Sequence, residues 1–130
     1  MNKTIVHFEV YGDNPPKLAE FYQKLFDWKF EKAPGSMEYW MIKTIPTDQQ
    51  GRPTGPGVNG GMMKRPDPRA TGCLNYVEVE SVDQAVKDVQ KLGGSVMRPK
   101  APVPKMGWFA VVMDPEHNAF ALWQNDMKAG

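Results

Sequence analysis

The sequence predicts an α+β fold made of two βαβββ modules in tandem. Three observations carry that prediction. The chain echoes itself: Lys24-Leu25-Phe26-Asp27-Trp28-Lys29-Phe30 returns as Lys91-Leu92-Gly93-Gly94-Ser95-Val96-Met97, an offset of 67. A later register sets Asn59-Gly60-Gly61-Met62-Met63 against Asn118-Ala119-Phe120-Ala121-Leu122, an offset of 59, so the first copy carries about eight extra residues between Trp40 and Gly61. Each copy also opens with strand alternation and continues with a capped helical pattern. The 130 residues suffice for one domain over 1–130. Module one is expected over about 4–65, a linker over about 66–72 and module two over about 73–125.

Taken in order, Ile5 to Val10 alternates, with Val6, Phe8 and Val10 on one face and His7, Glu9 and Tyr11 on the other. Asn14 is a good N-cap, and Pro15 and Pro16 suit a first helical turn that needs no amide donor. The helix runs to about Asp27, with Leu18, Phe21, Tyr22 and Leu25 at helical spacing. Trp28 to Phe30 and Tyr39 to Ile42 read as strands around a Pro34-Gly35-Ser36 turn. Thr47 to Gly57 is a Gly- and Pro-rich loop, and Val58 to Lys64 is a strand. Gly60 and Gly61 let another group approach that strand's backbone closely.

Pro66 to Gly72 is the linker. Leu74 to Val79 is a strand, and Ser81 with Gln84 forms a capping box for a helix that Gly93 ends. Ser95 to Met97 is a strand, and Lys100 to Lys105 is expected as a loop because of Pro102 and Pro104. Trp108 to Met113 and Ala119 to Trp123 form a hairpin about the Asp114–Asn118 turn, where His117 suits positive φ. Asn125 to Gly130 is expected to fray.

Charge and composition exclude several classes. With 16 basic and 15 acidic residues the net charge is +1, which argues against nucleic acid or an anionic membrane as partner. The single cysteine, Cys73, excludes an internal disulfide framework and is expected as a buried, inert thiol. No apolar signal segment and no membrane-spanning run is present, so the cytoplasm is the expected location.

The ordered set His7-Phe8-Glu9-Val10, then Phe21-Tyr22-Gln23-Lys24-Leu25-Phe26-Asp27-Trp28, then Val79 to Asp83, Leu92-Gly93-Gly94 and Asp114-Pro115-Glu116-His117-Asn118 resembles the vicinal oxygen chelate superfamily. That superfamily holds glyoxalase I, the bleomycin resistance proteins and the extradiol dioxygenases. The strand Gly60 to Arg65 is similar to that of its small bacterial glyoxalase-like members. Two departures stand out: Phe26-Asp27 replaces Leu-Gly, and His117 replaces a turn glycine. The resemblance implies a cupped mixed sheet with helices outside, and a homodimer.

It also implies one metal ligand on the first and last strand of each half. Those positions are His7, Met62, Leu74 and Ala121, and of these only His7 suits a Zn, Ni, Fe or Mn ion. The expectation is therefore a degenerate metal site, no cofactor, and a small, partly apolar or aromatic ligand held in the cup. His7 and Glu9 are the candidate catalytic residues. Trp40, Met62, Leu74, Tyr76, Trp108, Ala121 and Trp123 are the candidate ligand-binding residues. One alternative is a metal-dependent lyase, isomerase or dioxygenase using His7 and Glu9. Another is an oligomeric interaction module with a vestigial site. Each residue also has a plainer role: His7 as a hydrogen-bonded lining residue, Glu9 at a solvated rim, Tyr76 as filler, and the tryptophans at an edge or interface.

Overall fold

Strand alternation in β1 (Ile5–Gly12) sets the plan of the first half of the chain. In the computed structural model, which describes residues 3–35, 38–68, 70 and 72–130, Phe8 and Val10 pack on one side against Ala19, Ile42 and Met62. Ser36 of the expected turn, and Arg69 and Thr71 of the expected linker, lie outside the described residues, as do Met1 and Asn2. The chain divides into two compact units. One is His7–Cys73; the other takes in the start of β1 up to Val6 together with Leu74–Gly130. Within the second unit Glu78 N donates to Thr4 O at 3.0 Å.

The first unit adds α1 (Pro15–Phe26), β2 (Lys29–Lys32), β3 (Tyr39–Lys43) and β4 (Gly60–Lys64). Its strand order is β2-β3-β4-β1, with β1 and β4 parallel and the other pairs antiparallel. Asn14 Oδ1 accepts from Lys17 N, and Pro15 and Pro16 fill the first turn, as the cap pattern predicts. Asp27 closes α1 in the left-handed region with φ 60, its N–H on Gln23 O at 2.9 Å. An aspartate tolerates the conformation that a glycine would adopt there, which is why the Phe26-Asp27 departure leaves the helix end intact. Leu18 and Ala19 face the core, while Phe21, Leu25 and Phe26 are 57%, 56% and 53% exposed.

The second unit contains β5 (Cys73–Glu78), α2 (Val82–Lys91), β6 (Ser95–Val103), β7 (Gly107–Met113) and β8 (Ala119–Asn125). Its order is β5-β8-β7-β6, with β5 and β8 parallel. Each unit thus has the βαβββ order. Val79, Val82, Ala110, Val112 and Leu122 form its core, closed by Ala85, Val86 and Val89 of α2. Ser81 Oγ accepts from Gln84 N at 3.1 Å, but the Gln84 side chain turns to Asp88 instead of back to the cap, so half of the capping box forms.

Three expectations are corrected. β6 does not stop at Met97; it runs to Val103 through Pro99 and Pro102. It is an edge strand in its unit, and two register shifts absorb the missing donors. The C-terminal segment does not fray, because Lys105 N donates to Ala129 O at 2.9 Å and Ala129 is 3% exposed. Cys73 begins β5 and is exposed, where burial was expected.

Candidate functional site

Burial of Phe8 and Val10 toward α1 sends His7, Glu9 and Tyr11 to the opposite face of β1. There they meet Tyr39 of β3. Glu9 is 7% exposed, and its two oxygens accept from two phenols: Tyr11 OH on Oε1 at 2.7 Å and Tyr39 OH on Oε2 at 2.8 Å. His7 Nε2 lies 2.8 Å from the Tyr39 hydroxyl. A phenol has one proton, and Tyr39 gives it to Glu9, so the imidazole donates Nε2–H to the Tyr39 oxygen. Burial holds His7 below its ordinary pKa, with the Glu9 charge working in the other direction. The result is a continuous line of hydrogen bonds, His7–Tyr39–Glu9–Tyr11.

Gly61 makes this line possible. Pairing of β1 with β4 sets Glu9 opposite Gly61 and Val10 opposite Met62. A Cβ on Gly61 would fall on the Tyr39 hydroxyl. Gly60 likewise admits Phe8, whose ring Cδ1 lies 2.7 Å from where a Cβ would stand. The close approach expected at the two glycines is therefore made by Tyr39 on one face and Phe8 on the other.

The same pairing corrects the ligand position on β4. In the second unit Tyr76 pairs with Ala121 and Val77 with Leu122. Glu9 and Tyr76 are 67 apart, and their partners Gly61 and Ala121 are 60 apart, so the later offset is 60, one more than the sequence comparison suggested. A slip of one residue moves a side chain to the other face of a strand. Met62 is accordingly fully buried against Ala19 and Ile42, on the face covered by α1, and does not line the face of His7. The position equivalent to Ala121 is Gly61.

Two tryptophans are also corrected, because both pack on the faces covered by the helices. Trp40 pairs with Met62 and packs on the α1 side, with Lys32 Nζ 5.7 Å from its ring centre. Trp108 packs on the α2 side; its Nε1–H donates to Asp126 at 3.0 Å, and Lys100 Nζ lies 4.5 Å from its ring. That indole bond, followed by the Lys128 amide, holds the Asp126 carboxyl below the usual range. Leu74, Tyr76, Ala121 and Trp123 occupy the face of the second unit turned away from α2. Trp123 Nε1–H donates to Asn125 Oδ1 at 2.8 Å, and Asn125 in turn donates to Glu78. A shallow groove of about 650 Å³ lies between α2 and β6, lined by Asp83, Val86, Lys87, Gln90, Val96, Pro99 and Lys100. It contains none of the His7 network.

Sequence reasoning passed over Tyr39, Tyr11 and Gly61. Tyr11 was legible as sharing the face of His7 and Glu9. Tyr39 was hidden because only strand pairing brings it over Gly61. For a divalent ion, the donor set is short: among the described residues no three or more of His, Cys, Asp and Glu gather as a metal site.

Two four-stranded βαβββ units, each with a parallel pair between its first and last strand and one sheet face turned from its helix, define a glyoxalase-type α+β protein. Residues 7–123 match the model of the glyoxalase-like domain, and the chain belongs to that family. The "Putative glyoxylase CFP32" of Mycobacterium bovis and that of Mycobacterium tuberculosis are each 30% identical over 115 residues, covering 85% of this chain and 41% of the relative. The chain thus spans about two-fifths of the length of these relatives. Methylmalonyl-CoA epimerase from Mycobacterium tuberculosis superposes with a TM-score of 0.67 at 9% identity, covering 94% of this chain and 87% of that one. A glyoxalase/bleomycin resistance protein/dioxygenase superfamily member from Vibrio splendidus gives 0.64 at 12% identity, covering 95% and 98%. These two likenesses show the fold. No helix among the described residues is long and apolar enough to cross a membrane.

Proposed function

We propose that this chain binds a small, partly apolar or aromatic molecule on the sheet faces turned from its helices, without a metal ion. One observation carries this reading: Gly61 stands at the β4 ligand position, and the Tyr39 hydroxyl is drawn over it. A glycine has no donor, and the space a ligand side chain would take is filled. Leu74 and Ala121 cannot ligate either, which leaves His7 and Glu9, two donors already engaged with tyrosines. Glyoxalase- or dioxygenase-type chemistry at a chelated metal lacks its electrophile under this reading. The His7–Tyr39–Glu9 line instead offers a polar, proton-bearing group to a ligand bound by apolar contact.

The adjacency of His7 and Glu9 favours a second reading, a metal-dependent lyase, isomerase or dioxygenase. It needs a third donor beyond that pair. The glyoxylase name of the curated relatives is compatible with either reading. The proposal also includes a homodimer, which the family resemblance implies, and keeps the cytoplasmic setting expected from the sequence. Exposed Phe21, Leu25 and Phe26 on α1 are apolar surface that such an association would cover. Light scattering at micromolar concentration reads the oligomer, and a monomer refutes that part.

Thermal denaturation in EDTA with a panel of apolar and aromatic metabolites tests the central reading. At a ligand concentration of 100 Kd the native state gains about 2.7 kcal/mol. At least one ligand class should raise the midpoint, and EDTA should not abolish the rise. A shift seen only with added Zn, Ni, Fe or Mn would support the metal-dependent reading, and failure of every ligand class would leave the interaction module.

A further inference from the structure

Among the described residues, β6 presents a cation with no acidic partner. Arg65 pairs with Asp13 at 3.1 Å, Lys100 with Asp83 at 2.9 Å, Lys24 with Glu20 at 2.6 Å and Lys43 with Glu31 at 3.9 Å. The Arg98 side chain has no ion pair and no hydrogen bond among the described residues; its contact is with Phe109, the guanidinium carbon 5.2 Å from the ring centre. A guanidinium stacked on an aromatic face keeps its planar fork of donors in one orientation and ready for an anion.

The backbone around Arg98 is unusual in the same direction. Register shifts between β6 and β7 fall on both sides of it, between Val96 and Arg98 and between Arg98 and Ala101. Such irregularities re-aim a side chain. Arg98 pairs with Val111, and Phe109 pairs with Trp123, so all four lie on the face turned away from α2.

Trp123 is held as firmly as Arg98 is left open. Its indole N–H is fixed by Asn125, and Gly107 leaves room for its ring, since a Cβ there would lie 2.6 Å from Trp123 Cζ2. Phe109 and Trp123 are both half-buried, so each keeps surface for contact. The face therefore combines two positioned aromatic rings, an aliphatic neighbour and the Arg98 cation at the β6 end. The carboxylate paired to this set, Glu78, stands opposite Trp123, separated from β6 by two strands, and is hydrogen-bonded by Asn125.

We propose that Arg98, Phe109 and Trp123 form a subsite for a planar anion, with the flat apolar part against the two rings and its carboxylate on the Arg98 guanidinium. This rests on the reading that the chain binds a small, partly apolar molecule, and it adds the charge of that molecule. A bidentate guanidinium–carboxylate contact is stronger than its neutral counterpart and discriminates by geometry.

The test is titration calorimetry with 2-naphthoate and with its neutral isostere 2-naphthamide. The wild-type chain should prefer the carboxylate by about tenfold, the weight of one hydrogen-bonded charge. Arg98→Met should bind the two probes equally, keeping the amide affinity of the wild type. Arg98→Lys should keep part of the preference, because it restores charge without the planar fork. Equal affinities in the wild type, or a preference that survives in Arg98→Met, would overturn the subsite and leave the binding reading standing. If neither probe binds the wild type at millimolar concentration, both fall. Arg98 is exposed, and a circular dichroism spectrum verifies that each variant is folded.

Discussion

At the scale of single residues, the site turns on a glycine. Gly61 and Tyr39 are coupled by contact, since any side chain at 61 would displace the hydroxyl that joins His7 to Glu9. Gly61→Ala should destabilise the chain by about 1–3 kcal/mol in urea unfolding, the usual cost of forcing atoms into a filled space. Tyr39→Phe should cost about 1–3 kcal/mol, because it removes a donor from a carboxylate that is 7% exposed. In a Tyr39→Ala background the Gly61→Ala penalty should largely vanish, whereas simple additivity of the two would refute the contact. His7 makes a pH prediction with a definite sign. Burial holds its folded pKa below the ordinary histidine value, so between the two the unfolded chain binds a proton that the folded chain does not. His7 thus contributes to stability fully above the unfolded value. The contribution falls as pH drops from there and levels off below the folded value. Urea midpoints across pH 8 to 4 should lose this component in His7→Gln, and an unchanged profile would contradict it.

At the scale of elements, most of the chain was legible before its structure. β1, both helices and the β7–β8 hairpin carry their own periodicity and punctuation, so local patterns sufficed. Asn14, Pro15 and Pro16 start α1 as read, and Ser81 starts α2. β6 was truncated in the reading because Pro102 and Pro104 look like loop residues, although Pro99 and Pro102 lie within the strand. Its place at the edge of its unit, which no local pattern encodes, is what tolerates them. The C-terminal segment was misread for a similar reason, since a short polar tail is held only by long-range bonds to Lys105, Met106 and Trp108. The half-formed capping box gives a test at this scale. Ser81→Ala should cost about 1 kcal/mol of stability. Gln84→Ala should cost only a few tenths, since the Gln84 side chain makes an exposed contact with Asp88. Equal costs would mean that the reciprocal cap bond forms after all.

At the scale of the whole molecule, internal repetition revealed the architecture and also misplaced a site residue. The first offset, 67, agrees with both strand ladders, but the later one was a residue short. Glycine and alanine at the two β-strand positions provide no chemical signal that would have fixed it. Ala121 therefore corresponds to Gly61 and not to the Met62 of the strand motif, while Trp40 and Trp108, read as pocket walls from their nearness to loops, face their helices. His7 was singled out by the family resemblance, and alternation put Glu9 on its face. The partner that joins them, Tyr39, needed the β3–β4 pairing. Under the proposed metal-free reading, Tyr39 over Gly61 closes the β4 ligand position. The most direct measurement is the metal content of the purified chain by mass spectrometry, after equilibration in turn with Zn, Ni, Fe(II) and Mn and removal of unbound ion. The expected content is far below one per chain for every metal, with His7→Ala no different from the wild type. One metal per chain, lost in His7→Ala, would contradict it.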